Sequence, residues 1–402
     1  MQTHSVEILI CGGGVAGKAG ALALAHAGLE VTLLGARPAA APPETGYGQR
    51  VYALNAASRQ LLDALRVWPQ MPAARVQPVD AMRIQADGAE LEFSAHGSRV
   101  EALAWIVESD AIESALDLAL RFERRVQLDP ASAAGVQREL GSTAWQVQTD
   151  DGRRIDAALL VGADGQDSRV RRAAGIAVET RDYAQRGVVA NFVCAQPHRG
   201  TAFQAFTADG VIALLPLAAL NGQPMVSLVW SAPEALAQDL LALPPEALAQ
   251  QVTARLPALG ASHVGPLQAT GTAAGWPLRR QLARQAVADA LVLIGDAAHR
   301  VHPLAGQGLN LGLQDVQALA QTLRDRRAGQ AVTDPRLLRQ YARARAEQVL
   351  ALATATDSLA RLYAAQSPVP APLRALGLRM ANALPPVKQL LARYASGLPY
   401  IA

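Results

Sequence analysis

The chain opens on a short, mostly apolar run, Val6 to Cys11, that ends in Gly12-Gly13-Gly14. Such a run stopped by glycine predicts a buried parallel strand. Small and apolar residues from Ala19 to Ala27, closed by Gly28, predict a helix, and Val31 to Leu34 predicts a second strand. Together they make a βαβ unit. A proline- and glycine-rich loop follows from Arg37 to Gln49, then a helix over Leu54 to Leu65. Alternation between Val79 and Val100 predicts strands around Met82-Arg-Ile and Leu91-Glu-Phe. Ser109 to Phe122 reads as a helix with Ser109 as its N-cap, and Trp145 to Leu160 as a hairpin turning at Asp151-Gly152. From Gly187 to Trp230 the chain has no helical period, and turn pairs at Asp209-Gly210 and Asn221-Gly222 predict an antiparallel sheet. Ala232 to Leu256 is helical, broken near Pro244-Pro245. A buried strand returns at Ala290 to Ile294, followed by a long helix from about Gly308 to Arg326. Asp334-Pro335 opens another helix, as cap and first-turn proline, that runs to about Tyr363. The prolines between Ser367 and Pro372 break it, and two shorter helices are expected to finish the chain.

This succession predicts an α/β fold in three parts. A discontinuous Rossmann-like nucleotide domain takes residues 1–75, 101–180 and 271–335. A mixed or antiparallel β-sheet substrate domain, 76–100 and 181–270, is inserted into it, and 336–402 form a C-terminal helical region. Half of the 402 residues are hydrophobic, which allows a large core and argues against disorder. The net charge of +3 is mild and the basic residues are dispersed, so nucleic-acid binding is not expected. Cys11 and Cys194 are the only cysteines and neither lies in a CxxC, so no metal site, redox dithiol or disulfide scaffold is expected. Cys11 reads as core packing. The N-terminus enters a strand without a signal segment, and no apolar run approaches the ~20 residues of a membrane span. A soluble, cytoplasmic protein is the expectation.

Three segments carry chemistry. In Gly12-Gly13-Gly14-Val15-Ala16-Gly17 a G-x-G-x-x-G stands between strand and helix. Gly12 suits the tight turn, Gly14 the close approach of a pyrophosphate, and Gly17 close helix packing, while the helix N-terminus offers free N–H groups. The acid that usually ends the second strand of such a unit and binds a ribose is replaced by Gly35. On the sequence alone, Gly35→Glu is expected to strengthen nucleotide retention. The second segment, Val161 through Asp164-Gly165 and Ser168 to Arg171, delivers an Asp-Gly turn into a capped helix, a pattern that ordinary capping also explains. The third runs from Leu291 through Gly295-Asp296 and His299, then His302-Pro303-Leu-Ala-Gly306-Gln307-Gly308-Leu-Asn310-Leu-Gly312-Leu-Gln-Asp315. Its strand aims a carboxylate at a ligand hydroxyl, and its glycine-rich loop enters a helix whose N–H groups face an electron-rich ligand edge.

Together these segments resemble the aromatic-ring hydroxylases, the p-hydroxybenzoate hydroxylase-like flavoprotein monooxygenases. His302 to Asp315 is similar, position for position, to the signature of the ubiquinone-biosynthesis hydroxylases. Arg50-Val-Tyr-Ala-Leu-Asn55, Trp105-Ile-Val-Glu108, Gly210 to Leu217, Leu338 to Arg345 and Leu376 to Lys388 extend the likeness over nearly the whole chain. Arg300 and Ser109 depart from many relatives. The resemblance implies that the nucleotide domain binds FAD. Gly12, Gly14 and Gly17 would cradle its pyrophosphate, Arg50 would contact the phosphates and Asp296 the ribityl chain. Gly306, Gln307, Gly308 and Asn310 would line the isoalloxazine, and Asp164 with Gly165 would support flavin and a transient NAD(P)H. It implies hydroxylation of a phenolic ring, a polyprenylated phenol of ubiquinone biosynthesis, with O₂ through a flavin hydroperoxide. The electron donor would be NAD(P)H or an external reductase, and a quinone-biosynthesis complex a partner. The cofactor does the chemistry, so no catalytic side chain is named. His299 and His302 are loop residues near the flavin.

Other readings stay open. A single G-x-G-x-x-G argues against a two-nucleotide disulfide reductase, and isolated tryptophans argue against a halogenase. A flavin-dependent reductase of isoprenoid double bonds shares the cradle, and a flavin-binding scaffold without activity would explain Gly35. The segment Leu373 to Tyr394 mixes Leu, Met and Val with Arg374, Arg379, Lys388 and Arg393. It reads as helices packed on their own core, as a surface that docks a partner, or as peripheral contact with the anionic inner face of a membrane.

Overall fold

The structure is a computed structural model that describes residues 3–43, 46–139, 141–302, 306–364 and 367–384, with 386, 388–389, 391 and 396–397. Its organising strand is Thr3–Cys11, whose Ile8, Leu9 and Ile10 are fully buried. It pairs in parallel with Val31–Leu34 on one side and Arg154–Gly162 on the other. Val126–Asp129 extends the sheet beyond Val31–Leu34, and Leu291–Leu293 beyond Arg154–Gly162, both in parallel. Burial on both faces explains the unbroken apolar runs. Ile8, Ile10, Leu33, Val161 and Val292 meet residues of the helices Val15–His26, Ser109–Arg121 and Gln307–Arg324, while Leu9, Cys11, Leu34, Leu160 and Leu293 form a second cluster. Burial pushes the Cys11 thiol well above its ordinary value, as an inert packing residue requires. The expected hairpin at Asp151-Gly152 joins Trp145–Thr149 to Arg154–Gly162 on this sheet.

The second sheet has nine strands and is mixed. Its spine is Val178–Cys194, flanked antiparallel by Gln223–Pro233 and Ala274–Ala283. Gly210–Leu220 and Thr201–Thr207 continue the meander through the expected turns, and Thr201–Thr207 then pairs in parallel with Ala81–Ala86. Residues 274–283, part of the 271–335 stretch that the sequence reading assigned to the nucleotide domain, pair into this sheet. One face of the sheet, with Val188, Phe192, Val226, Leu228 and Trp230, packs against the helices Glu234–Ala242 and Pro245–Thr253.

A third, three-stranded sheet of Val51–Leu54, Ala104–Glu108 and Val76–Val79 was not foreseen. The expected helix at Leu54 therefore starts only at Ala56, with Asn55 accepting from the Ser58 N–H as its cap. Ser109 is not a cap either. Glu108 holds that position, and Ser109 Oγ donates to Glu113 Oε1 at 3.0 Å within the first helical turn. Asp334 does cap the long helix Pro335–Leu362, accepting from Arg336 N at 2.7 Å. The helix Ala371–Ala383 follows. The second of the two terminal helices expected falls largely outside the described residues, as do Arg393 and Tyr394. Among the described residues no helix is long and apolar enough to cross a membrane.

Candidate functional site

Strand register assembles the site. Cys11 aligns with Gly162 and with Leu34, and Gly162 with Leu293. The residues that follow these strand ends are Gly12, Ala163-Asp164, Gly35 and Ile294-Gly295-Asp296, so register alone brings them to one edge of the sheet. The chain winds from Thr3–Cys11 to one side and returns on the other, which opens a crevice at that switch point, the usual ligand site of such sheets.

Packing constrains the glycine loop closely. Gly12 has φ +123°, and a Cβ on it would overlap the Ala163 carbonyl. A Cβ on Gly17 would overlap the Gly12 carbonyl oxygen, so only glycine lets the helix Val15–His26 settle this low on the loop. Gly14 is the opposite case. It is the N-cap of that helix, no side chain caps it, and a Cβ there would meet nothing within 4 Å. An uncapped helix N-terminus beside open space, held by glycines that cannot move, fits a pyrophosphate.

Gly35 proves to be conformational. Its φ is +85°, its N–H donates to Ala131 O at 2.7 Å, and its carbonyl lies under Gly13, where a Cβ would overlap it. The expected gain from a carboxylate here is thereby overturned, because a side chain in the left-handed region strains the turn that supports the phosphate loop. Gly35→Glu should cost about 1–2 kcal/mol and weaken FAD binding. A thermal melt and an FAD titration check this, and affinity above that of the parent would contradict it.

Ser168 caps the short helix Arg169–Ala173 as expected, accepting from Arg171 N at 2.9 Å, and Asp164 Oδ2 accepts from the Arg169 and Val170 N–H groups at 2.7 and 3.2 Å. Its buried Oδ1 has no partner among the described residues. The capping explanation thus accounts for one oxygen and leaves the other for a ligand. Asp296 is open to solvent yet has protein on most sides, as a side chain in a crevice does. Desolvation lifts its carboxyl above the usual range, against the pull of Arg300, His299 and Arg50. Arg50 is exposed and stacks 5.1 Å from the Trp276 ring, bridging the glycine-rich loop region and the second sheet. Arg300 ties the Asp164-Gly165 turn to the same sheet, through Gln166 and the Pro277 carbonyl.

The helix Gln307–Arg324 begins at Gly306, φ +61°, again with no capping side chain, and Gly306, Gln307 and Gly308 are partly exposed. Pro303, Leu304 and Ala305 of this motif lie outside the described residues. The Asn310 side chain is tied into the protein. Its Nδ2 donates to Ala53 O and Gly306 O, and its Oδ1 accepts from Asn55 N and Ser58 Oγ, at 2.7 to 3.3 Å. An amide side chain makes four such bonds at most. Asn310 therefore clamps the loop to the third sheet and has no polar atom left for a ligand ring.

The opposite face of the nine-stranded sheet is mixed, with Asn191, Gln204, Ser227 and Ser231 on it and Leu217 and Met225 packed against the third sheet, but it carries an apolar patch. Register puts Val189, Val229 and Ala213 side by side, with Leu215 and Val211 along the same strand, and all five are partly exposed. Gln185 and Trp276 lie on this face too, and Gln185 Oε1 meets His302 Nε2 at 3.2 Å. Burial pushes the His302 imidazole down to about 4, so it is neutral at physiological pH.

Comparison with known proteins fits this geometry. Residues 5–356 match the FAD binding domain family. The chain is 34% identical over 403 residues to 3-demethoxyubiquinol 3-hydroxylase of Escherichia coli, covering 99% of this chain and all of that one. It is 33% identical over 396 residues to the ubiquinone hydroxylase UbiL of Rhodospirillum rubrum, covering 97% and 89%. This chain belongs to the ubiquinone-biosynthesis family of FAD-dependent hydroxylases. The fold agrees: a probable FAD-dependent monooxygenase, pqsL of Pseudomonas aeruginosa, superposes with a TM-score of 0.76 at 23% identity, covering 94% of this chain and all of that one.

Beneath the crevice the hydroxylase holds a buried ionic cluster that the sequence reading missed. Asp315, 1% exposed, accepts from Arg345 Nε at 2.7 Å, from Gly295 N at 2.9 Å and contacts His299 Nε2 at 2.6 Å. Burial opposes its ionisation, but His299 and Arg345 outweigh that and hold the carboxyl below its ordinary value. The cluster fixes the Gly295-Asp296 turn from behind. One signal was available: Asp315 is an acid on the stripe Leu311, Val316, Leu319 and Leu323, which the core faces. A charge there needs a partner.

Proposed function

We propose that the hydroxylase inserts one oxygen atom from O₂ into the phenolic ring of a ubiquinone precursor, with electrons from NAD(P)H or an external reductase. The observation that carries this is the pairing of a glycine cradle, open only at Gly14, with a partly exposed apolar patch on the second sheet. When bound, FAD supplies the electron transfer and the activation of O₂. Gly12, Gly14 and Gly17 would hold its pyrophosphate, with Arg50 free to swing from Trp276 onto the phosphates. Asp296 would hold the ribityl hydroxyls, and the N–H groups of Gly306, Gln307 and Gly308 would face the electron-rich edge of the ring system. Asp164 Oδ1 is the remaining acceptor for flavin or nicotinamide. Val189, Val211, Ala213, Leu215 and Val229 would surround the substrate ring and keep water from the reacting atoms. Neutral His302, held by Gln185, places no charge beside that apolar wall. The relatives' substrates carry prenyl tails in the resemblance drawn above, and such a molecule is met at a membrane.

The test begins with the visible spectrum of the purified protein, where a bound flavin absorbs near ~375 and ~450 nm. It continues with NAD(P)H, O₂ and a phenolic precursor. The expected product is one oxygen atom heavier, with O₂ uptake matching NAD(P)H oxidation. Oxidation of NAD(P)H with a product that gains hydrogen and no oxygen would replace this reading with a reductase. Flavin-free protein that cannot be reconstituted would replace it with a scaffold.

A further inference from the structure

The helix Ala371–Ala383 has two unlike faces. Ala375 is buried, Arg374 pairs with Asp87 at 2.7 Å, and the Asn382 side chain accepts from the Glu92 N–H at 3.2 Å. These residues fasten the helix to Ala89–Ser94, an edge strand of the nine-stranded sheet, and to the turn before it. The other face carries Leu373, Leu376 and Met380, followed by Leu384 at the helix end, each between 46% and 59% exposed. At 100° per residue these four lie within an arc of about 80°. Exposed leucines normally occur singly, and a continuous stripe marks an interaction surface.

Charge indicates what covers it. From residue 358 to the end the chain has no Asp or Glu, but it has Arg361, Arg374, Arg379, Lys388 and Arg393. These five exceed the formal net charge of +3 for the whole chain, so the residues before them are net acidic. The excess of basic residues is therefore concentrated in this C-terminal stretch of the sequence. Arg374 is neutralised by Asp87 and Arg361 by Asp357, whereas Arg379 is exposed beside the stripe with no acidic partner among the described residues. Leu391, beyond the helix, is exposed as well.

We propose that the stripe Leu373, Leu376, Met380 and Leu384, with Arg379 and the other basic residues around it, docks the enzyme on an anionic lipid bilayer. An amphipathic helix of this composition lies in the interfacial plane, with leucines at the acyl boundary and basic groups among headgroups. Its inner face, held by Arg374 and Asn382, transmits the anchoring to the sheet that bears the apolar pocket wall. The docking does not depend on which phenol is hydroxylated.

The holoenzyme is tested by flotation with substrate-free vesicles of phosphatidylcholine, with or without about 30% phosphatidylglycerol, an anionic lipid that basic side chains recognise. Binding is expected only to the anionic vesicles, and it should weaken several-fold when salt rises from about 0.1 to 0.5 M. Leu376→Gln with Met380→Gln should lower the bound fraction about tenfold. Arg379→Gln alone should lower it about fivefold. All three positions are exposed, so the flavin spectrum, melting temperature and turnover of a short, water-soluble phenol should match the parent. No flotation on anionic vesicles, or equal flotation of the double variant, overturns the proposal. Light scattering that shows a parent dimer and a monomeric double variant also overturns it, in favour of self-association. Because the vesicles carry no substrate, failure here leaves the hydroxylation reading standing, and failure of that reading leaves this result interpretable.

Discussion

Gly14→Ala should leave the apoprotein folded and destroy its hold on FAD, whereas Gly17→Ala should damage both. The two glycines sit three residues apart in one motif, but a Cβ at Gly14 meets no protein atom within 4 Å, while one at Gly17 meets the Gly12 carbonyl oxygen. In the first variant the methyl group fills the space where a pyrophosphate would approach the helix N-terminus. Losing two charge-assisted hydrogen bonds at about 1.5–3 kcal/mol each weakens FAD by roughly a hundredfold or more. Apoprotein stability falls only by about 0.5–1 kcal/mol, because alanine is a poorer N-cap than glycine but the position has no tight contact. In the second variant the helix must rise off the loop, an overpacking cost of about 1–3 kcal/mol, and the cradle opens. Melts of the apoproteins and flavin titrations separate the two outcomes. Parent-like affinity in Gly14→Ala would place the pyrophosphate somewhere else.

Asp315→Ala should be among the most destabilising single changes in the molecule. It leaves Arg345, 4% exposed, with an unpaired charge and removes the partners of His299 and the Gly295 N–H. Breaking a buried pair from one side costs about 3–5 kcal/mol. The double change Asp315→Leu with Arg345→Met should restore much of this, because no charge is then stranded. Thermal melts of the singles and the double complete the cycle, and a double variant as unstable as Asp315→Ala would deny the pairing. The pH dependence has a definite sign. The folded carboxyl titrates below its ordinary value, so its contribution is full above the ordinary carboxylate pKa and is lost as pH falls through the lowered one. The Gly295-Asp296 turn loosens with it, so FAD retention should fail over the same acid range.

What the sequence revealed were features that a short stretch of chain determines by itself. The strand that ends in Gly12, the turn at Asn221-Gly222 and the cap-and-proline start at Asp334-Pro335 each carry their own cause in adjacent residues. The missed features have their causes far away in the chain. Val51–Leu54 is a strand because Ala104–Glu108 pairs with it, and four residues give no period to read. Asn310 fitted the motif, but whether its amide faces a ligand depended on Ala53, Asn55 and Ser58, some 250 residues earlier. Gly35 read as a missing acid because the expectation concerned the ligand. Its backbone angle, imposed by Ala131 and Gly13, gives glycine a second reason to stand there.

The discontinuity of the nucleotide sheet also bears on how the protein is made. The first wall of the crevice, Gly12 to Gly17, leaves the ribosome early. The turn at Asp296 and the helix that starts at Gln307 come only after the strands of the second sheet through Ala283 have been translated. At about 5–20 residues per second, roughly 15–60 s separate these events. FAD therefore cannot template the start of folding. It can only select and stabilise a chain already nearly complete, and through that interval the apolar strand Leu159 to Val161 waits without its neighbour Leu291–Leu293. Cellular FAD supply should thus govern how long the finished protein survives more than how fast it folds.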